Sequence, residues 1–295
     1  MFMLFLFFAL AVLVILIAIV IEIKNYKEYK ESEYYKITKI PYWKIHFDTG
    51  VYGEYDTYRC LCPLDGYKRY LFNCYIPKED GTTTEVDVIM IHESGIYVFE
   101  SKNFSGWIFG TENQREWTQV LPTGRGKSQK EHFFNPIIQN KVHLKWLQSY
   151  LRDFHDLKFY SYIVFSIRCE LKKITLTSDE HHVVKRENLL EAVLQNASVS
   201  TGKMPKSIIN KIYEKLYPLT QVGELEKKEH IETIKKRYEK PVLSKTITET
   251  QDKKCPRCGG KLVLKVAKRG NYAGSKFYGC ANYPGCKYIE NICNR

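Results

Sequence analysis

The chain has 295 residues, of which 44% are hydrophobic and 14% aromatic, and its formal net charge is +12. This length allows one sizeable domain plus a small one, and the apolar content excludes wholesale disorder. The positive charge indicates an acidic partner, either nucleic acid or an anionic membrane surface, and charge alone does not choose between them.

The chain begins with an apolar segment. Residues 1–21 carry only apolar side chains, and about 20 such residues span the hydrocarbon core of a bilayer. Glu22 and then Lys24, Lys27 and Lys30 follow, with no basic start and no small-residue cleavage site before them. This pattern favours an uncleaved single-pass anchor over residues 1–23, with the soluble part in the cytoplasm. A cleaved signal peptide or a buried helix is the alternative.

Composition divides the remainder of the chain into four parts. Residues 24–41 are charged and Tyr-rich, which is typical of a helical or loose juxtamembrane stalk. Residues 42–217 have the mixed periodicities of an α/β domain, residues 218–253 form a polar linker, and residues 254–295 form a small cysteine-containing module.

The first half of the α/β domain is predicted to hold one helix and several strands. The helix covers 48–61, and strands cover 68–76, 85–91, 95–102 and 106–110. The segment Pro122–His132 is predicted to be a flexible basic loop. Its residues Arg125, Lys127 and Lys130 could contact backbone phosphates, but a solvated loop is the favoured explanation of them.

The second half is predicted to be mostly helical. A helix begins at the N-cap Asn135 and Pro136, with an apolar stripe at positions 138, 142, 146 and 150. A buried strand is predicted over 159–166, and further helices over 186–194 and 205–217.

The hairpin at 85–102 carries charges at one end of an apolar pair of strands. A turn symmetric about Glu93 and Ser94 would set Ile91 opposite Ile96, Asp87 opposite Glu100 and Glu85 opposite Lys102. Lys102 shares a face with Glu100 because side chains alternate along a strand. Two carboxylates this close repel unless a cation lies between them, and their hard oxygens suit Mg²⁺ or Mn²⁺. The alternative is that these charges end the strands and meet solvent.

The surrounding residues resemble the nuclease-related domain, NERD, of the PD-(D/E)xK nuclease superfamily. The matching stretches are "GVYGE" at 50–54, "EVDVIMIHESGIYVFESKNFSGWIFG" at 85–110, Trp117, and "NPIIQNKVHLKWL" at 135–147. The resemblance implies an α/β fold of the restriction-endonuclease type, a mixed central sheet flanked by helices. It also implies a set of catalytic residues, namely Glu54, Asp87, Glu100, Lys102 and Gln139.

The resemblance implies hydrolysis of a phosphodiester bond. Asp87 and Glu100 would hold Mg²⁺ or Mn²⁺, with help from Glu54 through water. Lys102 would contact the phosphate and the attacking water, and Gln139 would occupy the polar position on the following helix.

The C-terminal module contains Cys255, Cys258, Cys280 and Cys286 in a C-x2-C, 21-residue, C-x5-C spacing. Two tight turns of this kind bring four thiolates together around a tetrahedral Zn²⁺. The stretches "CPRCGGKLV" and "FYGCANYPGCKY" resemble the C-terminal zinc ribbon of bacterial type I topoisomerases.

Ribbons of that family contact single-stranded DNA. The resemblance therefore implies that the aromatic residues Phe277, Tyr278 and Tyr283 stack on bases while Lys276 and Lys287 follow the backbone. The alternative is that at least two of the ribbon's aromatics, with Tyr288 counted among them, form its own minimal core.

Three functions are compatible with these observations. The favoured one is a membrane-anchored, metal-dependent nuclease whose ribbon binds nucleic acid, with DNA preferred. The others are a non-cleaving, membrane-tethered DNA-binding protein and a scaffold whose basic tail meets lipid or a protein. The sequence leaves the oligomeric state open.

Overall fold

A computed structural model describes residues 2–124, 126–200, 202–223, 225–230, 232, 254–266 and 276–291. The chain divides into two compact units, residues 1–236 and residues 237–295.

The first unit contains helices and strands in a mixed order. Its helices are α1 (Phe2–Glu31), α2 (Glu33–Thr38), α3 (Tyr42–Phe47), α4 (Thr49–Leu61), α5 (Pro136–Tyr150), α6 (Leu189–Val199) and α7 (Lys206–Leu216). Its strands are β1 (Lys68–Pro77), β2 (Thr83–His92), β3 (Gly95–Lys102), β4 (Gly106–Thr111), β5 (Glu116–Gly124), β6 (Lys127–Phe134), β7 (Phe159–Phe165), β8 (Cys169–Thr175) and β9 (His181–Lys185).

The central sheet has five strands in the order β1-β2-β3-β7-β9. The pairs β1/β2 and β2/β3 are antiparallel, whereas β3, β7 and β9 run parallel. A second sheet has the order β6-β5-β4-β8 and holds the buried Trp117, whose Nε1–H donates to the Thr111 carbonyl at 3.0 Å. The mixed α/β fold with a helix-flanked sheet, predicted from the sequence, is confirmed.

Helices cover both faces of the central sheet. On the face that we call the α4 face, Phe72, Val88 and Tyr97 pack with residues of α2, α4 and α6. On the opposite face, the α5 face, Ile89 and Val98 pack with residues of α5 and α7. Burial on both faces explains why β2 and β3 read as nearly continuous apolar runs.

The prediction of a flexible loop at Pro122–His132 is wrong. These residues belong to the antiparallel hairpin β5/β6, in which Gln119 pairs with Glu131 and Val120 with Lys130. Gly124 and Gly126 reverse the chain with φ of +85° and +72°, a conformation that glycine adopts without strain. Lys127 and Lys130 are exposed on β6, an edge strand on which charged side chains are common, and Arg125 lies outside the described residues.

The apolar stripe predicted for α5 is not its buried face. The face toward the sheet carries Ile137, Asn140, His143 and Leu147, while Val142 is exposed. The N-cap prediction is confirmed, because the Asn135 side chain accepts from the Ile137 N–H at 2.9 Å. Asn140 and His143, the two polar residues on the buried face, could not be recognised from the spacing of apolar residues.

The Tyr-rich segment after the apolar run packs into the core of the first unit. Tyr29 and Tyr34 are fully buried, and the Tyr29 hydroxyl donates to the Ile40 carbonyl at 2.7 Å. Helix α1 is long and apolar enough over Phe5–Glu31 to cross a membrane, and an 18-residue stretch of it has a mean hydropathy of 3.2. A signal sequence near the N-terminus meets the same criteria.

In the second unit three short strands form one antiparallel sheet. They are β10 (Leu262–Val266), β11 (Lys276–Cys280) and β12 (Ile289–Asn291), in the order β10-β11-β12. Leu262 pairs with Cys280, so the start of β10 lies beside the cysteine cluster.

Candidate active site and metal centre

The five residues predicted for the nuclease site come from four elements. Glu54 lies on α4, Asp87 on β2, Glu100 and Lys102 on β3, and Gln139 on α5. Contacts and electrostatic coupling bring all five into one cluster beside the C-terminal end of β3, which we call the acidic cluster.

Glu100 is the buried centre of the acidic cluster, with 1% of its surface exposed. Lys102 Nζ donates to Glu100 Oε1 at 2.6 Å and to Gln139 Oε1 at 3.2 Å. His143 Nε2 lies 3.1 Å from Glu100 Oε2, and its Nδ1 lies 2.7 Å from the Thr84 hydroxyl. Because a carboxylate only accepts, His143 donates from Nε2 to Glu100.

Burial opposes ionisation of Glu100, but Lys102 and His143 together lower its pKa below the ordinary value. Glu100 is therefore held as a carboxylate, with one oxygen facing a lysine and the other facing a histidine. Such fixed partners keep a ligand oxygen in place.

The predicted register of the β2/β3 hairpin is confirmed for its inner pairs, Ile91 with Ile96 and Ile89 with Val98. The ladder ends at Val88 and Phe99, so Asp87 and Glu100 are not a ladder pair, and neither are Glu85 and Lys102. Instead, Asp87 Oδ2 accepts from the backbone N–H of Ser101 at 2.8 Å.

Strand β1, which pairs with β2 on its other side, is irregular at the level of Asp87, and this explains why Asp87 and Glu100 do not form a ladder pair. Asn73, between the pairs Phe72/Val88 and Cys74/Val86, has a left-handed φ of +48°. Phe72 and Val88 pack on the α4 face, whereas Cys74 and Val86 pack on the α5 face. Asn73 and Asp87 therefore break the alternation of both strands at one level. Non-glycine residues in this conformation are concentrated at functional sites.

Glu54 approaches the acidic cluster from the α4 face. The Tyr34 hydroxyl donates to Glu54 Oε2 at 3.0 Å. The preceding Gly53 lets α4 come close, because a Cβ there would lie 3.0 Å from Ser101 Oγ. Burial, with repulsion from Glu85, outweighs the hydrogen bonds from Tyr34 and Asn73 and raises the pKa of Glu54 to about 8.

The pKa of Asp87 is raised for the same reason as that of Glu54. Burial raises its pKa well above the ordinary value, and repulsion from Glu100 and Glu54 adds to the effect, while Lys102 opposes it. Two further carboxylates and one lysine thus act on Asp87. Oxygen donors in excess of cations are the chemistry that a hard divalent cation neutralises, so the residues present fit Mg²⁺ or Mn²⁺.

Sequence reasoning missed three members of the site. His143 lies one helical turn after Gln139 on the same face of α5, so an i, i+4 search from Gln139 would have found it. Tyr34 comes from the segment predicted to be a stalk, and Asn73 is an ordinary strand residue until its φ is known. Glu85, which is not a ladder partner of Lys102, accepts from the Tyr75 hydroxyl at 2.7 Å.

The four cysteines of the second unit meet as predicted. The sulfurs of Cys255, Cys258, Cys280 and Cys286 all lie within 4.8 Å of one another. Cys255 Sγ is 3.8 Å from Cys286 Sγ, and Cys258 Sγ is 3.3 Å from Cys280 Sγ. A regular tetrahedron with Zn–S bonds of 2.3 Å has edges of about 3.8 Å. The cluster therefore has the size and donor set of a structural zinc site.

The residues predicted to bind nucleic acid occupy different environments in the ribbon. Tyr283 is 64% exposed, with the Lys265 ammonium 5.5 Å from its ring centre, and Lys287 is exposed. Tyr278 packs against the cysteine cluster together with Tyr288, and Phe277 is half-buried. The side chain of Lys276 lies outside the described residues.

Comparison with known families agrees with these two units. The model of the nuclease-related domain matches residues 49–166, and the model of the topoisomerase DNA-binding C4 zinc finger matches residues 252–295. No solved structure matches the chain.

Relatives fall into two groups. An uncharacterized protein of Bacillus anthracis is 29% identical over 202 residues, which cover 68% of this chain and 88% of that protein. DNA topoisomerase 1 of Methanocaldococcus jannaschii is 48% identical over 50 residues, and that of Helicobacter pylori 40% over 55 residues. These matches cover 17% and 19% of this chain and only 6% and 7% of the topoisomerases. Residues 49–166 are therefore a nuclease-related domain, and residues 252–295 are a topoisomerase-type C4 zinc ribbon.

Proposed function

We propose that the protein is a divalent-metal-dependent nuclease, anchored in a membrane by α1, which hydrolyses phosphodiester bonds of DNA in the cytoplasm. The observation that carries the proposal is the acidic cluster, in which Asp87 and Glu100 interact with Lys102 and Glu54 lies close enough to Asp87 to repel it. A solvated set of strand-end charges would not include a carboxylate with 1% exposure between a lysine and a histidine.

Each residue of the cluster has a role in the proposed reaction. Asp87 and Glu100 would hold the cation, with Glu54 acting through water. When bound, a divalent cation offsets the negative charge that develops on the phosphate oxygens. Lys102 would contact the scissile phosphate and orient the attacking water, because its ammonium is a positive charge held beside Glu100 within the cluster.

The zinc ribbon supplies nucleic-acid binding in this proposal. Tyr283 and Lys287 are exposed, and an exposed aromatic ring next to basic side chains suits an unpaired base and its phosphate. The tail from Lys253 to Arg295 holds ten Lys and Arg against one acid, so affinity should fall with rising salt.

The test is cleavage of plasmid and single-stranded DNA by the full chain in vesicles, with Mg²⁺ or Mn²⁺ added. Lys102→Ala is expected to lower the cleavage rate about 10²-fold, because it removes a positive charge aimed at the transition state. Lys172→Ala is the matched control, since Lys172 pairs with Glu170 at the surface.

DNA binding without cleavage under either metal would contradict the proposal. It would assign the protein to the class of non-cleaving, membrane-tethered DNA-binding proteins. Equal loss of cleavage in Lys172→Ala would show that the effect does not depend on the acidic cluster.

His143 is proposed as a positioning residue. His143→Ala is expected to lower the cleavage rate about 10-fold and to raise the Mg²⁺ concentration needed for half-maximal rate, because Glu100 loses one of its two fixed partners. His143→Gln restores a donor and should recover part of both effects. His155→Ala, at an exposed position, is the control. An unchanged metal requirement in His143→Ala would contradict the role.

A further inference from the structure

The short helix α3 exposes two large aromatic side chains on one side. Trp43 is 57% exposed and Phe47 82% exposed, and their ring centres are 6.4 Å apart. Ile45, on the other side of the helix, is 6% exposed and packs into the core. Single exposed apolar residues are common, but an adjacent aromatic pair at this exposure usually marks a contact surface.

Contacts with α1 fix the level of this pair along the first helix. His46 Nε2 lies 3.4 Å from Glu22 Oε1, and the Tyr42 ring lies edge-on to Tyr26 at 5.4 Å. Glu22 is the first charged residue after the apolar run at 1–21. Phe47, next to His46, therefore lies beside the point where the apolar part of α1 ends.

A short stretch of α1 connects the end of its apolar part to the core of the first unit. Residues 21–28 are exposed, and Tyr29 is fully buried in the core of the first unit. Ile23 and Tyr29 are six positions apart on the helix, a rise of about 9 Å. A bilayer around the apolar part of α1 would thus meet the domain surface that carries α3.

We infer that Trp43 and Phe47 insert into the headgroup region of the bilayer that α1 spans, so that α3 lies against the membrane. Aromatic side chains concentrate at this depth because their rings are apolar and the surroundings are partly wet. Lys24 and Lys44 are exposed near the same level and would meet anionic headgroups. The inference depends on the proposed anchoring by α1.

The experiment uses the full chain in vesicles of anionic lipid mixed with lipid brominated along its acyl chains. The chain has four tryptophans, and none lies in α1, so contact quenching reports on the folded domain. The wild type is expected to lose fluorescence in brominated vesicles, and Trp43→Phe is expected to lose most of that quenching. Trp107→Phe is the matched control, because Trp107 is also exposed, at 39%, but lies on β4.

Alkaline washing of the same vesicles separates the two proposals. If the chain stays in the membrane and Trp43→Phe is quenched as strongly as the wild type, the surface proposal is overturned and the anchor stands. If the chain is washed out, both are overturned. Absence of quenching with concentration-dependent cross-linking through α3 would assign the surface to a second copy of the chain and overturn the proposal.

Discussion

Asp87→Asn is expected to abolish measurable cleavage while making the metal-free protein more stable. The rate should fall at least about 10²–10³-fold, because a charged ligand of the reacting centre is lost. The free energy of unfolding in metal-free buffer should rise by about 1–3 kcal/mol, since one of three mutually repelling carboxylates is neutralised. Asparagine still accepts from the Ser101 N–H, so the local structure is retained.

The stabilisation should depend on pH in a defined direction. A carboxyl whose pKa is raised on folding holds its proton more tightly in the native state, so stability falls as pH rises above the unfolded value of about 4. Asp87→Asn removes its part of this fall, and the difference from the wild type should grow as pH rises from about 4 toward the raised pKa of Asp87 in the folded state. Denaturant titrations at several pH values, with a chelator present, measure it.

Metal and control measurements make the result decisive. Added Mg²⁺ should stabilise the wild type and have less effect on Asp87→Asn, because a ligand that binds only the native state raises its stability. Asp179→Asn, at an exposed acid, should change neither cleavage nor stability. A variant that loses stability along with activity would show Asp87 to be a structural acid.

Removal of zinc is expected to unfold the ribbon and leave the first unit folded. The chain should contain about one zinc ion, measured by atomic emission. Zinc binding contributes about 10–16 kcal/mol to the folding of small zinc modules. Among the described residues, the ribbon's core consists of Cys255, Cys280 and Cys286 with Leu262, Tyr278 and Tyr288, which is too little apolar surface to fold without metal.

Cys280→Ser should reproduce the effect of the chelator, because Cys280 is buried in the cluster. DNA affinity should fall and cleavage at low DNA concentration should slow, while the rate at saturating DNA changes little. Cys62→Ser, an exposed thiol on the first unit, is the control. A ribbon equally resistant to protease with and without zinc would contradict the prediction.

The sequence was sufficient for the parts of the fold that depend on local patterns. The inner register of β2 and β3 follows from apolar pairs such as Ile89 and Val98, and the start of α5 follows from the Asn135 cap. The cysteine cluster follows from spacing, because ligands of one ion must converge whatever the loop between them does.

The remainder depends on contacts between distant residues. The site is completed by Tyr34, which reaches Glu54 across 20 residues, and by His143, which reaches Glu100 across 43. Tyr34 carries no signal at that separation, and His143 carries one only through its i, i+4 spacing from Gln139. The β5/β6 hairpin was missed because polar residues and glycines describe an exposed edge strand as well as a loop.

The paired irregularity at Asn73 and Asp87 has a consequence for the tolerance of the fold to change. Side chains from two helices that pack on opposite faces of a sheet do not ordinarily meet, because the strands lie between them. Here the alternation of β1 and β2 is broken at one level, and side chains of both α4 and α5 can contribute to the acidic cluster. Deleting Asn73 alone would restore the alternation of β1 but leave β2 irregular at Asp87, and the residue pairs beyond that level would no longer match in register.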